Sequence, residues 1–153
     1  MPARPTAPTC LVGWPPRAGL WRRPSVPERW PFDYAVVRVV PRIERGEYLN
    51  AGVILYCRSR RFLAARIQLD LARLHALAPA CDGADVLAHL NVIPLICRGG
   101  RGTGPIGALP QPDRWHWLVA PRSTVIQPAP THGGLSADPA MDLERLAARY
   151  LQE

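Results

Sequence analysis

The chain has 153 residues, 48% of them hydrophobic, which is room for one globular domain of ordinary core size and not comfortably for two. Its net charge is +7 and all 19 basic residues are arginine, a bias that reads first as the codon usage of a GC-rich bacterial genome and is weak as a sign of function. The longest apolar run, Ala51 to Cys57, is seven residues, far short of the roughly 20 that a membrane-spanning helix needs, so a transmembrane helix is excluded and a cytoplasmic protein is expected.

Residues 1–31 hold eight of the 18 prolines, which forbid a continuous helix or central strand there. Arg22 and Arg23 are followed by prolines and charges instead of an apolar stretch, so they do not make an export signal. The expectation is a disordered Pro/Arg-rich extension over 1–31, with Val26 a candidate for the true translation start, ahead of a single globular domain over 32–153. The extension carries five arginines and one acid, while residues 32–153 carry 14 arginines and 11 acids. A folded part that is only mildly basic argues against nucleic acid as the partner.

From Tyr34 the pattern changes. Tyr34 to Val40 is rich in β-branched residues and predicts a strand ending at Pro41. Asn50 to Cys57 predicts a second, central strand, joined by a hairpin loop that contains Arg42, Glu44 and Glu47. Asn50 and Gly52 are poor strand formers, which predicts a bulge or a close backbone approach at that point. The basic turn Arg58 to Arg61 leads into a third strand, Phe62 to Ile67, and short links favour an antiparallel meander.

Asp70 is suited to cap a helix that uses Leu71, Leu74 and Leu77 and stops at Pro79. Asp82 begins a second, with Val86, Leu87, Leu90, Ile93 and Cys97 as its stripe, and Pro94 is expected to kink or shorten it. After a glycine-rich loop from Arg98 to Gly107, two more strands are predicted at Trp115 to Ala120 and Thr124 to Gln127. Asp138-Pro139 caps a closing helix that carries Leu143, Leu146, Tyr150 and Leu151. The order implies an α+β fold: a mainly antiparallel sheet of about five strands with three helices packed on it.

Cys10, Cys57, Cys81 and Cys97 include no CxxC pair, so reduced thiols are expected and no metal. His89 and Cys97, eight apart, would need two further ligands to hold one. Gly102 to Gly107 matches GxGxxG in letters, but no strand precedes it and Pro105 interrupts it, so no cofactor is expected.

The densest polar stretch is Arg114 to Leu135. As a strand, it would put Trp115 and Trp117 on one face and His116 on the other. Pro121 would then present Arg122, Ser123 and Thr124 at a bend where a guanidinium, two hydroxyls and free amides can hold an anion. The competing account is that these groups satisfy the turn's own backbone. His116 and His132 are candidates for proton transfer beside Arg122, but Ser123 lacks the GxSxG setting of a hydrolase nucleophile.

From Phe32 onward the chain resembles the bacterial domain-of-unknown-function family numbered 3037. The resemblance rests on DYAVVRVVPRIERGEYLNAGVILYCRSRRFLAARI, on GPIGALP, on RWHWLVAPRSTVIQPAPTHGGL and on the closing leucine-patterned helix. Arg42, Asn50, Gly52, Arg61, Arg122, Ser123, Thr124 and His132 fall within these blocks. The family carries over no activity, cofactor or catalytic residue. Such proteins are often encoded beside HipA-like kinases, and the resemblance implies a kinase of that kind as a protein partner. The extension before Phe32 and the proline at Pro94 depart from the family pattern.

These readings favour a non-enzymatic accessory domain that binds a protein partner or an anionic ligand. The candidate binding residues are Arg122, Ser123, Thr124, His116, His132, Arg42, Asn50 and Arg61. The alternatives are an enzyme acting on a phosphate-containing substrate through His116 or His132, and a nucleic-acid binder using Arg58, Arg60 and Arg61.

Overall fold

The computed structural model describes residues 26–152. Most of the expected extension, with Cys10, therefore lies outside the described residues. The first strand, β1, runs Trp30–Val39 and so begins two residues before the boundary expected at 32. It pairs antiparallel with β2 (Leu49–Cys57), which pairs antiparallel with β3 (Phe62–Ile67), and this is the predicted meander. The other edge of β1 is shared by two short strands. Its second half pairs with β4 (Ile126–Pro128) and its first half with β5 (His132–Ser136).

Asp70 caps α1 (Leu71–Leu77), accepting from the Arg73 amide at 3.0 Å. Asp82 caps α2 (Gly83–Leu90) through the amides of Ala84 and Asp85. The predicted second helix is in fact two, because the chain breaks at Asn91 and resumes as α3 (Val92–Arg98). Pro94 has no N–H to offer the Leu90 carbonyl four residues back, so the ladder fails where the proline predicts it will. A single turn, α4 (Gly104–Gly107), occupies the glycine-rich loop.

The expected strand at Trp115 to Ala120 is a helix, α5 (Gln111–Val119). Pro112 in its first turn and Asp113 beside it are helix-start signals, and Trp115, Leu118 and Val119 repeat at helical spacing. Trp115 and Trp117 therefore point apart: Trp115 is 5% exposed and Trp117 40%. The strand expected at Thr124 to Gln127 is the shorter β4, and β5 lies beyond both predicted strands. The last helix, α6 (Pro139–Leu151), is capped by Asp138 with Pro139 in its first turn, as predicted.

The fold is thus α+β, with one five-stranded antiparallel sheet among the described residues. Five helices of seven residues or more surround it where three were expected, the difference being the broken second helix and α5. Alternation along the strands separates two apolar layers. Ala35, Val37, Ile54 and Tyr56 face α1, α2, α3 and α5, where Trp115 stacks on Tyr56 with ring centroids 5.5 Å apart. Phe32, Val53, Leu55 and Cys57 face α6 through Leu143 and Leu146.

Candidate functional site

The β2 strand changes which of its residues face which layer near Gly52. Val37 pairs with Gly52 and Arg38 with Asn50, so Ala51 is the extra residue of a bulge. Gly52 is also the predicted close approach: a Cβ there would stand 2.6 Å from Ile67 Cδ1 and 3.0 Å from the Arg66 carbonyl oxygen.

On the side of the sheet that carries α1, α2, α3 and α5, Val37 and Ile54 floor a cleft of about 590 Å³. One wall is α2 and α3, through Val86, Ile93 and Ile96; the other is Trp117 and Leu118 of α5 with the segment from Thr124 to Ile126. Asp82, Asp85 and His89 stand along the first wall, and Arg122 on the second. Both acids are partly committed: Asp82 caps α2, and the Asp85 carboxylate lies 3.5 Å from His89 Nδ1. The His89 ring also meets the Asp85 carbonyl at 2.8 Å, and Cys97 is on a different helix from His89.

Of the residues singled out in the sequence, Arg122 and Thr124 line this cleft. Their polar groups are turned onto the backbone. Arg122 Nε donates to the Ala120 carbonyl at 3.2 Å, while Nη2 donates to the carbonyls of Trp117 and Leu118. The guanidinium also lies 4.8 Å from the centre of the Trp117 ring. It closes the C-terminus of α5, which ends where Ala120 turns extended ahead of Pro121. Burial lowers the pKa of Arg122, although an arginine remains protonated at any physiological pH. Thr124 Oγ1 donates to the Ile126 carbonyl at 2.7 Å, and Ser123 is exposed.

The remaining candidates are dispersed. His116 is exposed on α5. His132 is on β5, its ring 5.4 Å from that of Tyr34, on the α6 side of the sheet. The two histidines are therefore separated by the sheet, and only His116 is on the side of Arg122. Arg42 is exposed in the β1–β2 hairpin. Arg61 takes a left-handed φ of 49° in the β2–β3 turn and offers its carbonyl to Gln111. Its neighbour Arg60 lies over the Trp30 ring at 4.3 Å.

Asn50 belongs to another place. Its amide donates to the Tyr150 carbonyl at 3.3 Å, beside an open polar cavity of about 990 Å³ at the C-terminal end of α6. Nearby, the Tyr34 and Tyr150 hydroxyls are 3.1 Å apart, and that hydrogen bond, with burial, raises the pKa of Tyr34.

Trp117 and the apolar lining from α2 and α3 were not singled out as site residues in the sequence. Their signal was present, since the leucine, valine and isoleucine stripe from Val86 to Ile96 is longer than the core consumes: Ile93 is half-buried and Val92 exposed. Among the described residues no three His, Cys, Asp or Glu side chains gather as a metal site requires, and no helix is long and apolar enough to cross a membrane.

Among the described residues, a single antiparallel sheet with α1, α2, α3 and α5 on one face, α6 on the other and an apolar cleft beside α5 makes an α+β fold. The chain belongs to the family described as "Protein of unknown function (DUF3037)", which matches residues 34–151. No curated protein and no solved structure matches it.

Proposed function

We propose that this chain is a non-enzymatic accessory domain that receives an apolar segment of a protein partner in the cleft between α2–α3 and α5. The observation that carries this is the character of the cleft: a floor of Val37 and Ile54 and walls that are mostly apolar, with Asp82, Asp85, His89 and Arg122 among them. Its volume is within the roughly 300–1,000 Å³ usual for binding pockets, and Trp117 at its edge is the kind of aromatic anchor that dominates protein interfaces. An anionic ligand at Arg122 is less well supported, because that guanidinium is occupied by three carbonyls of its own chain.

The partner to test first is the HipA-like kinase that the family resemblance suggests. Purified chain and kinase should associate in calorimetry. Trp117→Ala and Val92→Asp, both at exposed positions, should each weaken association about tenfold or more, the usual cost of losing an interface anchor. Each variant should keep its melting temperature within a few degrees. Association unchanged by both substitutions would rule out this cleft as the docking surface.

A further inference from the structure

We propose that Arg38, Asn50 and Gln127 form a second binding site, for a small oxyanion such as a carboxylate or phosphate group, on the α6 side of the sheet. The register places them in one row. Arg38 is directly opposite Asn50 on β2 and directly opposite Gln127 on β4, so all three side chains leave the same face of three adjacent strands. The face is fixed by Asn50, which reaches the Tyr150 carbonyl of α6. α6 packs chiefly over β2 and β3, and Arg38 and Gln127 are both partly exposed.

Arg38 is the unusual member. It interrupts the apolar strand Val36-Val37-Arg38-Val39-Val40 and is partly buried. Its Nε is closed off from solvent with no hydrogen-bond partner, and among the described residues no carboxylate is within ion-pair distance of it. Buried charged donors are almost always satisfied, and one that is not points to a missing acceptor. The guanidinium is oriented by Tyr48, whose ring centre is 4.2 Å away.

A planar fork with Nε and a terminal nitrogen on one edge matches two oxygens of a carboxylate or phosphate, and the Asn50 and Gln127 carboxamides can add neutral donors. Tyr48 and Asn50 also border the open cavity beside α6, which gives a path to the row. Tyr48 is 49% exposed, so it can swing aside without disturbing the core. Of the acids, Asp70, which borders that cavity, caps α1, and Glu47, beside Tyr48 in sequence, pairs with Arg45 at 2.9 Å.

The test is nuclear magnetic resonance of the arginine Nε–H groups in the full chain, titrated separately with inorganic phosphate and with acetate, and with chloride at matched ionic strength. The Arg38 signal should move and saturate with phosphate, acetate or both, which identifies the source of the oxyanion. It should not do so with chloride. Asn50→Ala and Gln127→Ala should each weaken saturation several-fold, and Arg38→Lys, read at the Asn50 and Gln127 side-chain amides because it removes the arginine signal, should weaken it more, since a point charge cannot reproduce the fork. An Arg38 signal that stays still with both oxyanions, or moves equally with chloride, would overturn the proposal.

Discussion

Arg114 and Gly99 are fitted to one another. From α5, Arg114 is 9% exposed and extends its guanidinium to the C-terminal end of α3, where Nη1 donates to Ile96 at 2.8 Å and Cys97 at 2.6 Å, while Nε donates to Leu109. Gly99 closes α3 with a φ of 67°, and a Cβ there would stand 2.6 Å from Arg114 Cζ. The glycine is thus required twice, for its backbone angle and for the room it leaves. Gly99→Ala should cost about 2–4 kcal/mol, combining backbone strain with displaced charge-assisted hydrogen bonds. Urea unfolding measures it. In the background of Arg114→Ala the same substitution should cost distinctly less, because the two residues share one interaction.

Gly52→Ala should cost about 1–3 kcal/mol by overpacking. The Ile67 Cδ1 that the new methyl meets is the end of a flexible side chain, but the Arg66 carbonyl is not free to move. Adding Ile67→Val should therefore restore only part of the loss, read again by urea unfolding. Full recovery would mean that the backbone contact is unimportant.

The strands of the meander were legible because each carries its signal locally: β-branched runs ending at Pro41 and a poor strand former at the bulge. The caps at Asp70, Asp82 and Asp138 were equally local. Residues 115–120 misled because Trp-His-Trp-Leu-Val fits a two-residue period as well as a helical one, and the deciding signals, Pro112 and Asp113, lie upstream of it. β5 was missed because His-Gly-Gly-Leu-Ser has little strand propensity; it is extended because the first half of β1 offers it an unpaired edge. Pro121 marks a bend in the sequence, but that Arg122 and Thr124 would line a cleft with α2 and α3 depends on long-range packing that no local pattern carries. That Arg122 closes α5 was not legible either, since no helix was expected there to close.

Cys97 is 3% exposed, and burial pushes its thiol up to about 12, against a smaller opposing pull from Arg114. The folded protein therefore keeps this proton after an unfolded chain has lost it. Stability should be insensitive to this group below the ordinary thiol value near 9 and should fall between there and about 12, by at most about 1.4 kcal/mol per pH unit. Unfolding at pH 8 and pH 10, compared with Cys97→Ala, isolates that slope. At pH 8, site-resolved alkylation of the native protein should label the half-buried Cys81 well before Cys97.

Arg122 separates a structural role from a binding one. Its hydrogen bonds end on neutral carbonyls at the C-terminus of α5, where a cation also meets the negative end of the helix dipole. Arg122→Ala should lower stability by about 1–2 kcal/mol, the usual worth of such a cap and its charge-assisted bonds. Were Arg122 instead the centre of an anion site, phosphate would stabilise the native protein by mass action and the variant would lose that increment. The cap predicts the opposite pattern in thermal unfolding. Any increase in melting temperature with phosphate should be the same in both proteins, because the Arg38 row is intact in each, and the gap between their melting temperatures should stay constant across the titration.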